Sequence, residues 1–259
     1  MSIHIEILKK ATAEKPFLVI YKPKGLPSAP LSINDKNNAL SQALEAFPEL
    51  TKVHGNKEIE YGLLHRLDTA TDGLMVIAAS QECYDFLCTE QREGRFIKYY
   101  RAQCDFLPDN AEKLGGFPPY PSYNTESDKL ITSVSYFRPY GEGRREVRPV
   151  TEKSGKAALS KLGKEKLYTT HINVLHCDES TARADVECRI TEGYRHQVRC
   201  HLAWAGLPVK GDSLYNFSCR SLDSDIKKAE NVLKFSATKI SFEYPRGDLN
   251  SYDRKDTWT

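Results

Sequence analysis

The chain has 259 residues, of which 40% are apolar and 28% are charged, and its formal net charge is +2. This composition is ordinary for a soluble globular protein, and no stretch approaches the roughly 20 apolar residues that span a membrane. The small net charge neither demands nor excludes a polyanionic partner, because a basic patch can lie within a nearly neutral total. The seven cysteines include no C-x-x-C pair, and the N-terminus lacks a secretory pattern, so we expect a cytoplasmic protein.

Apolar periodicity predicts both strands and helices along the chain. In chain order they are a strand at 17–23, a helix at 39–47, a strand at 73–80, a helix at 81–94, strands at 95–106, 131–137, 168–177 and 181–190, a helix at 196–206, and a strand at 233–245. Ser80 is a capping residue for the second helix, whereas Pro48 and Gly206 end the first and third helices.

The order of these elements lacks regular βαβ alternation, which favours an α+β fold with a mixed, largely antiparallel sheet. Residues 108–130 are rich in Pro, Gly, Ser and Asn and predict a long excursion without regular structure. The polar tail after residue 245 is expected to be poorly ordered. No repeat or low-complexity tract divides the chain, so we treat 1–259 as one domain.

Four segments carry side chains suited to chemistry. They are YKPKG (21–25), HRLDTATDG (65–73), KYYRA (98–102) and ITEGYRHQVRCHLAWAGLPVKGDSLY (190–215). In HRLD a cation, an apolar residue and a carboxylate stand in consecutive positions before a buried strand, where a site is held rigidly and stays open to a cleft. Taken alone, this segment is equally typical of an ordinary surface Arg–Asp pair. A protein kinase is excluded, because the Gly-rich loop, the V-A-I-K strand and the D-F-G motif are absent.

The four segments, in this order, resemble the motifs of the RluA family of pseudouridine synthases. That resemblance implies one catalytic domain whose mixed sheet is split by an RNA-binding cleft. It also implies an isomerase that breaks the N-glycosidic bond of a uridine and rejoins the base through carbon-5. No separate N-terminal RNA-binding domain is expected, because the first motif begins by residue 21.

The resemblance assigns three catalytic residues. Asp68 is the essential carboxylate, which acts by attack on the ribose or the base or by removal of a ribose proton; the sequence leaves these paths open. Arg199 is expected beside Asp68, where its cation stabilises the carboxylate form. Tyr100 is expected to pack on the target base, since aromatic stacking contributes about 1–3 kcal/mol per base.

The resemblance also indicates residues that bind RNA. Arg66 is expected to fill the gap left by the extruded nucleotide, because extrusion costs a few kcal/mol. We assign further RNA contacts to four polar residues of the motifs: His65, Lys22, Lys98 and His196. A metal site at His196 and His201 is disfavoured, since five-residue spacing fits neither neighbouring position on a helix.

Several positions depart from the family pattern. Asp72 stands where the family has Ser, Tyr194 and Arg195 stand where it has Arg and Thr, and Leu207 replaces a His. Four glycines near the motifs are expected to serve the backbone in tight turns: Gly25, Gly73, Gly193 and Gly211. The spacing between the third and fourth motifs indicates an insertion around 105–166.

Residues 138–166 contain nine Lys or Arg against four Asp or Glu, an excess of five positive charges. One interpretation is a solvated loop. The other is an arm that holds the RNA backbone, with contacts from Arg144, Arg145 and Arg148. We expect RNA, ribosomal or transfer, as the partner of a monomeric enzyme without membrane association. A cofactor is not expected, because no metal-ligand set, P-loop or dinucleotide motif is visible. The alternative function is a non-catalytic RNA-binding protein of the same fold.

Overall fold

The computed structural model describes residues 3–106, 114–120, 130–178, 180–220, 232–245 and 247–255. These residues form two compact units: the first runs to Tyr99 and resumes at Ser236, and the second comprises Tyr100–Phe235. Most of the predicted 108–130 excursion lies outside the described residues. Among the described helices, none combines the length and the apolar character that crossing a membrane requires.

The strands agree with the predicted runs and add three more. They are β1 (Glu6–Lys9), β2 (Phe17–Lys22), β3 (Asp72–Ala78), β4 (Ile97–Asp105), β5 (Leu130–Tyr140), β6 (Glu146–Val150), β7 (Tyr168–Asp178), β8 (Arg183–Ile190), β9 (Phe235–Glu243) and β10 (Leu249–Asp253). The helices are α1 (Ala39–Ala46), α2 (Gln81–Arg92), α3 (Lys156–Leu159), α4 (Gln197–Trp204) and α5 (Phe217–Arg220). Short 3-10 helices occupy Pro48–Lys52, Glu58–Glu60 and Glu142–Arg144.

The first unit is built on β3, whose seven residues are all buried. A strand covered on both faces is expected to be continuously apolar rather than alternating. β3 pairs antiparallel with β2 and parallel with β9, while β1 pairs with β2 and β10 with β9, both antiparallel. The core beneath these strands includes a stacked pair, Phe96 and Phe242, with ring centroids 5.0 Å apart. This packing holds the start of β3 in a fixed position.

The second unit has the strand order β8, β7, β5, β6, with antiparallel pairing throughout, and β4 lies next to β8. Buried and exposed residues alternate along β5 and β8, as expected for strands with one covered face. Helix α4 is almost entirely buried. The core includes Phe137, Val147, Tyr168, Cys200 and Tyr215. The mixed, largely antiparallel α+β fold is therefore confirmed.

Local signals at the helix ends act as predicted. The Ser80 hydroxyl accepts a hydrogen bond from the Cys83 amide at 3.2 Å and caps α2. The backbone of Gly206 has a left-handed φ of 81° after α4. The expectation of a poorly ordered tail is wrong for β10. Its residues gain backbone hydrogen bonds from the edge of β9, and Asn250 donates to the carbonyls of Tyr244 and Asp248 at 2.7 and 2.8 Å.

Candidate active site

Asp68 lies half-buried in the loop that leads into β3. The residue before it is anchored by Ser28, whose hydroxyl donates to the Leu67 carbonyl at 2.7 Å and accepts from the Leu67 amide at 2.9 Å. On the other side, the Thr71 amide donates to the Asp68 carbonyl at 3.0 Å. The backbone of the predicted catalytic residue is thus fixed from both sides, which is what a site with defined geometry requires.

Lys22 joins the first and second motifs from inside the protein. Its side chain is fully buried, and Nζ donates to the carbonyl oxygens of Pro23, Leu26 and Thr69 at 3.0, 2.7 and 3.5 Å. Burial lowers the pKa of Lys22 to about 8, against the opposing effect of the Asp72 and Asp68 carboxylates. The prediction that Lys22 contacts RNA is therefore wrong, because its donors are directed to the loop backbone.

Asp72, one of the departures from the family pattern, is a buried structural carboxylate in this structure. It accepts hydrogen bonds from the Tyr21 hydroxyl and the Ser236 hydroxyl, both at 2.7 Å, and Lys24 Nζ lies 3.5 Å away. Gly73 follows with φ 137°, and a Cβ built there would lie 2.3 Å from the Ala237 carbonyl oxygen. Together these residues hold the parallel β3–β9 contact at the start of the strand.

His65 is neutral over the physiological range, because burial, aided by the charge of Lys98, lowers its pKa to about 3. The Val76 amide donates to His65 Nε2 at 3.3 Å, so the ring hydrogen is on Nδ1. Lys98 is itself buried, with Nζ 5.9 Å from the Phe96 ring centroid. Any contact of His65 with RNA would therefore be a neutral hydrogen bond, and RNA contacts by both residues stay predictions.

Arg66 differs from its neighbours because 59% of its side chain is exposed. Its Nη1 lies 3.2 Å from a carboxylate oxygen of Glu60. Glu60 is buried and also lies 3.1 Å from Lys57 Nζ, so its carboxylate keeps a cationic partner if the Arg66 guanidinium moves to another ligand. The exposed guanidinium of Arg66 suits insertion into an RNA stack, and this insertion stays a prediction.

Tyr100 lies in the second unit and is buried. Its ring stacks on Phe235, with centroids 5.2 Å apart and an interplanar angle of 6°. Phe235 thereby holds the Tyr100 ring in a fixed orientation, and stacking of Tyr100 on the target base stays a prediction. Sequence reasoning did not single out Phe235, since nothing local marks it as the partner of a tyrosine more than a hundred residues away.

Arg199 forms a buried, charged contact with Asp212 in the second unit. Its Nε and Nη2 donate to the two carboxylate oxygens at 2.7 Å each, and both side chains are buried. The same carboxylate accepts from the Leu214 and Tyr215 amides at 3.0 and 3.1 Å. This two-point contact orients the guanidinium plane. Asp212 was missed as a site residue, although it belongs to the fourth motif, in the sequence GDSLY.

The histidines of the fourth motif make hydrogen bonds to hydroxyl groups. His196 Nδ1 lies 3.0 Å from the Tyr215 hydroxyl, which also accepts from the Val147 amide at 2.9 Å. His201 is fully buried between the hydroxyls of Ser135 and Thr170, at 2.9 and 2.8 Å. An RNA contact by His196 stays a prediction, because its ring is half-buried.

The basic segment does not behave as one surface arm. Arg148 is 0% exposed: Nε donates to the Gly115 carbonyl at 2.8 Å, and Nη2 lies 2.6 Å from Glu146. Its guanidinium also lies 4.2 Å from the Tyr140 ring centroid. The prediction that Arg148 contacts RNA is therefore wrong. Arg144 and Arg145 are exposed, in the turn between β5 and β6.

The predicted catalytic residues are divided between the two units, with Asp68 in the first and Tyr100 and Arg199 in the second. The proximity of Arg199 to Asp68 and the cleft between them stay predictions. Of the four glycines assigned to turns, Gly25, Gly73 and Gly211 have positive φ. The Gly25 amide donates to the Thr69 carbonyl at 2.8 Å, so it belongs to the loop that holds Asp68.

Comparison with known proteins identifies a shared family pattern. A family model described as RNA pseudouridylate synthase matches residues 16–204. Ribosomal large subunit pseudouridine synthase D of Neisseria meningitidis serogroup A is 27% identical over 241 residues, which cover 91% of this chain and 54% of the relative. The tRNA pseudouridine(31) synthase of Saccharomyces cerevisiae is 27% identical over 229 residues, covering 86% and 48%. The chain spans about half the length of these curated relatives.

Two solved structures share the fold. Human RNA Pseudouridylate Synthase Domain Containing 1 has a TM-score of 0.64 at 17% identity, and covers 99% of this chain and 85% of its own. Human RNA Pseudouridylate Synthase Domain Containing 4 has a TM-score of 0.60 at 19% identity, with coverage of 96% and 87%. At these identities the likeness extends to the fold.

Proposed function

Because the chain belongs to the RNA pseudouridylate synthase family, we propose that it converts uridine in RNA to pseudouridine. In this isomerisation the bond from ribose C1′ to base N1 breaks and a bond from C1′ to C5 forms. The hydrogen on C5 leaves as a proton, and N1 gains one. The observation that carries the proposal is the anchored loop around Asp68, which supports a carboxylate at a fixed position.

Asp68 supplies the carboxylate, by attack on ribose or base or by removal of a ribose proton. Arg199, oriented by Asp212, supplies a cation for that carboxylate, and Tyr100, stacked on Phe235, supplies a surface for the base. Arg66 fills the space that the extruded uridine leaves in the RNA. We propose ribosomal RNA as the first substrate to test and transfer RNA as the second, since relatives named for each match the chain.

The decisive experiment replaces Asp68 with Asn. Loss of tritium from RNA labelled at uridine C5 follows the reaction, because the C5 hydrogen is released to water. We expect Asp68→Asn to fold and bind RNA like the wild type while tritium release falls to background. Asp253→Asn, at an exposed residue of β10, is the matched control and should retain full activity.

Near-normal tritium release by Asp68→Asn would contradict the catalytic assignment. Wild-type protein that binds RNA but releases no tritium from ribosomal or transfer RNA would favour the non-catalytic RNA-binding alternative. Mapping pseudouridines in total RNA with and without the protein identifies the target uridine.

A further inference from the structure

The turn between β5 and β6 has a tightly defined backbone. Gly141, Gly143 and Arg144 all have positive φ, of 76°, 61° and 54°. For Arg144 this left-handed conformation is unfavourable, so surrounding contacts must hold it. The Arg144 amide donates back to the Gly141 carbonyl at 3.1 Å. The two exposed arginines of this turn, Arg144 and Arg145, therefore project from a shaped loop.

A second segment of the same unit fastens this turn. Arg195 Nη2 donates to the carbonyl oxygens of Arg144 and Glu146, the latter at 3.1 Å. The preceding residue, Tyr194, stacks on Phe137 of β5 with centroids 5.0 Å apart and an interplanar angle of 5°. The loop that begins α4 and the β5–β6 turn are thus joined by a ring stack and by hydrogen bonds.

The joined segments carry a local excess of positive charge. Arg144, Arg145 and Arg195 are all exposed. Two of the acidic residues in the joined segments have cationic partners: the Glu146 carboxylate lies 2.6 Å from the buried Arg148, and the Glu192 carboxylate lies 2.6 Å from Lys166. Glu142 is the exposed acidic residue of the turn. The hydrogen bonds of Arg195 to the turn use Nη2, so Nε and Nη1 provide further donors.

We infer that Arg144, Arg145 and Arg195 form a binding surface for the phosphate backbone of the RNA outside the target nucleotide. This inference rests on the proposed function for its ligand. Guanidinium groups pair with phosphate at two points, and here two of them stand on the fastened turn and the third on the segment that fastens it. Arg195 belongs to the fourth motif and lies two residues before α4, the helix that carries Arg199. The bound phosphates position the strand, and the catalytic residues act on the base.

The test measures RNA affinity as a function of salt for the triple variant Arg144→Gln, Arg145→Gln, Arg195→Gln. Each lost phosphate contact reduces the log–log salt slope by about 0.7 for single-stranded RNA, so we expect a reduction of about 2. The double variant Arg144→Gln, Arg145→Gln leaves the Arg195 fastening intact and should reduce the slope by about 1.4. Tritium release at RNA concentrations below saturation should fall in parallel with the RNA affinity for both variants.

A control triple variant makes the same charge change elsewhere. Arg92→Gln, Arg183→Gln, Arg189→Gln alters exposed arginines of α2 and β8 and should leave most of the slope unchanged. Equal slopes for the wild type and the double variant would overturn the inference, as would an equal loss in the control. If the wild type released no tritium while the slope still fell as expected, the proposed function would fail and the phosphate surface would stand.

Discussion

Replacing Asp212 with Asn removes the anion that meets two donors of Arg199 in the interior of the second unit. The two hydrogen bonds are 2.7 Å long, and Asp212 is 1% exposed. An Asn side chain presents one amide group as a donor, so at least one Arg199 donor would face another donor. Breaking a buried pair by removing one partner typically costs 3–5 kcal/mol, which we expect as the loss in free energy of unfolding.

Urea denaturation of the wild type, Asp212→Asn, Arg199→Met and the double variant forms a double-mutant cycle. The double variant should lose at least about 1 kcal/mol less than the sum of the single losses, well beyond the ~0.5 kcal/mol scatter of independent sites. The exposed pair of Lys166 and Glu192, whose charged atoms are 2.6 Å apart, is the control. Glu192→Gln should cost less than about 1 kcal/mol.

Two results would refute this reasoning. A loss of less than about 1 kcal/mol in the free energy of unfolding of Asp212→Asn would mean that the pair stabilises the fold no more than a surface salt bridge does. Additive losses in the cycle would show that Arg199 and Asp212 stabilise the fold independently, despite their two-point contact. If Asp212→Asn is too unstable to purify, Asp212→Glu keeps the charge, changes only the reach, and can be measured in its place.

Ser28→Ala removes both hydrogen bonds to Leu67, and the carboxylate of Asp68 then loses its fixed position. We therefore expect about a tenfold or greater fall in kcat for tritium release, with an unchanged Kd for RNA. Ser135→Ala is the control at another buried serine. A rise in the Kd for RNA that matches the fall in kcat, or an unchanged kcat, would contradict the positioning role of Ser28. For His201, burial lowers the pKa to about 3, so between pH 6.5 and 3 the unfolded chain binds a proton that the folded chain does not. Stability should therefore fall with decreasing pH in that range by up to about 1.4 kcal/mol per unit, and His201→Gln should flatten this dependence in urea midpoints measured from pH 8 to 5; an unchanged slope would contradict the assignment.

Much of the fold follows from short-range patterns. The continuous apolar run of β3, the alternation along β5 and the Ser80 cap of α2 each depend on residues within a few positions of one another. Such signals are local, because period and capping are set by backbone geometry. The four motifs likewise indicate the family from the sequence, without any three-dimensional contact between residues. The sequence by itself therefore determined the element types and the candidate chemistry.

Tertiary structure decided which polar groups face inward. Arg148 belongs to a run of basic residues that predicts an exposed segment. In the structure its guanidinium is enclosed by Glu146, Tyr140 and a backbone carbonyl. Lys22 stands in a motif typical of substrate contact, and its ammonium group instead holds the loop that carries Asp68. A charged side chain can be buried only where distant segments supply its partners, and composition does not reveal where those segments meet.

The same reason explains β10 and Asp212. The polar sequence Leu249–Asp253 has little tendency to form a strand alone, and it becomes one because the edge of β9 offers unpaired backbone groups. Asp212 is one of many acidic residues until folding brings Arg199 within 2.7 Å of both its oxygens. Local patterns fix what each segment tends to form, whereas the partner of each buried charge depends on contacts between segments far apart in the chain.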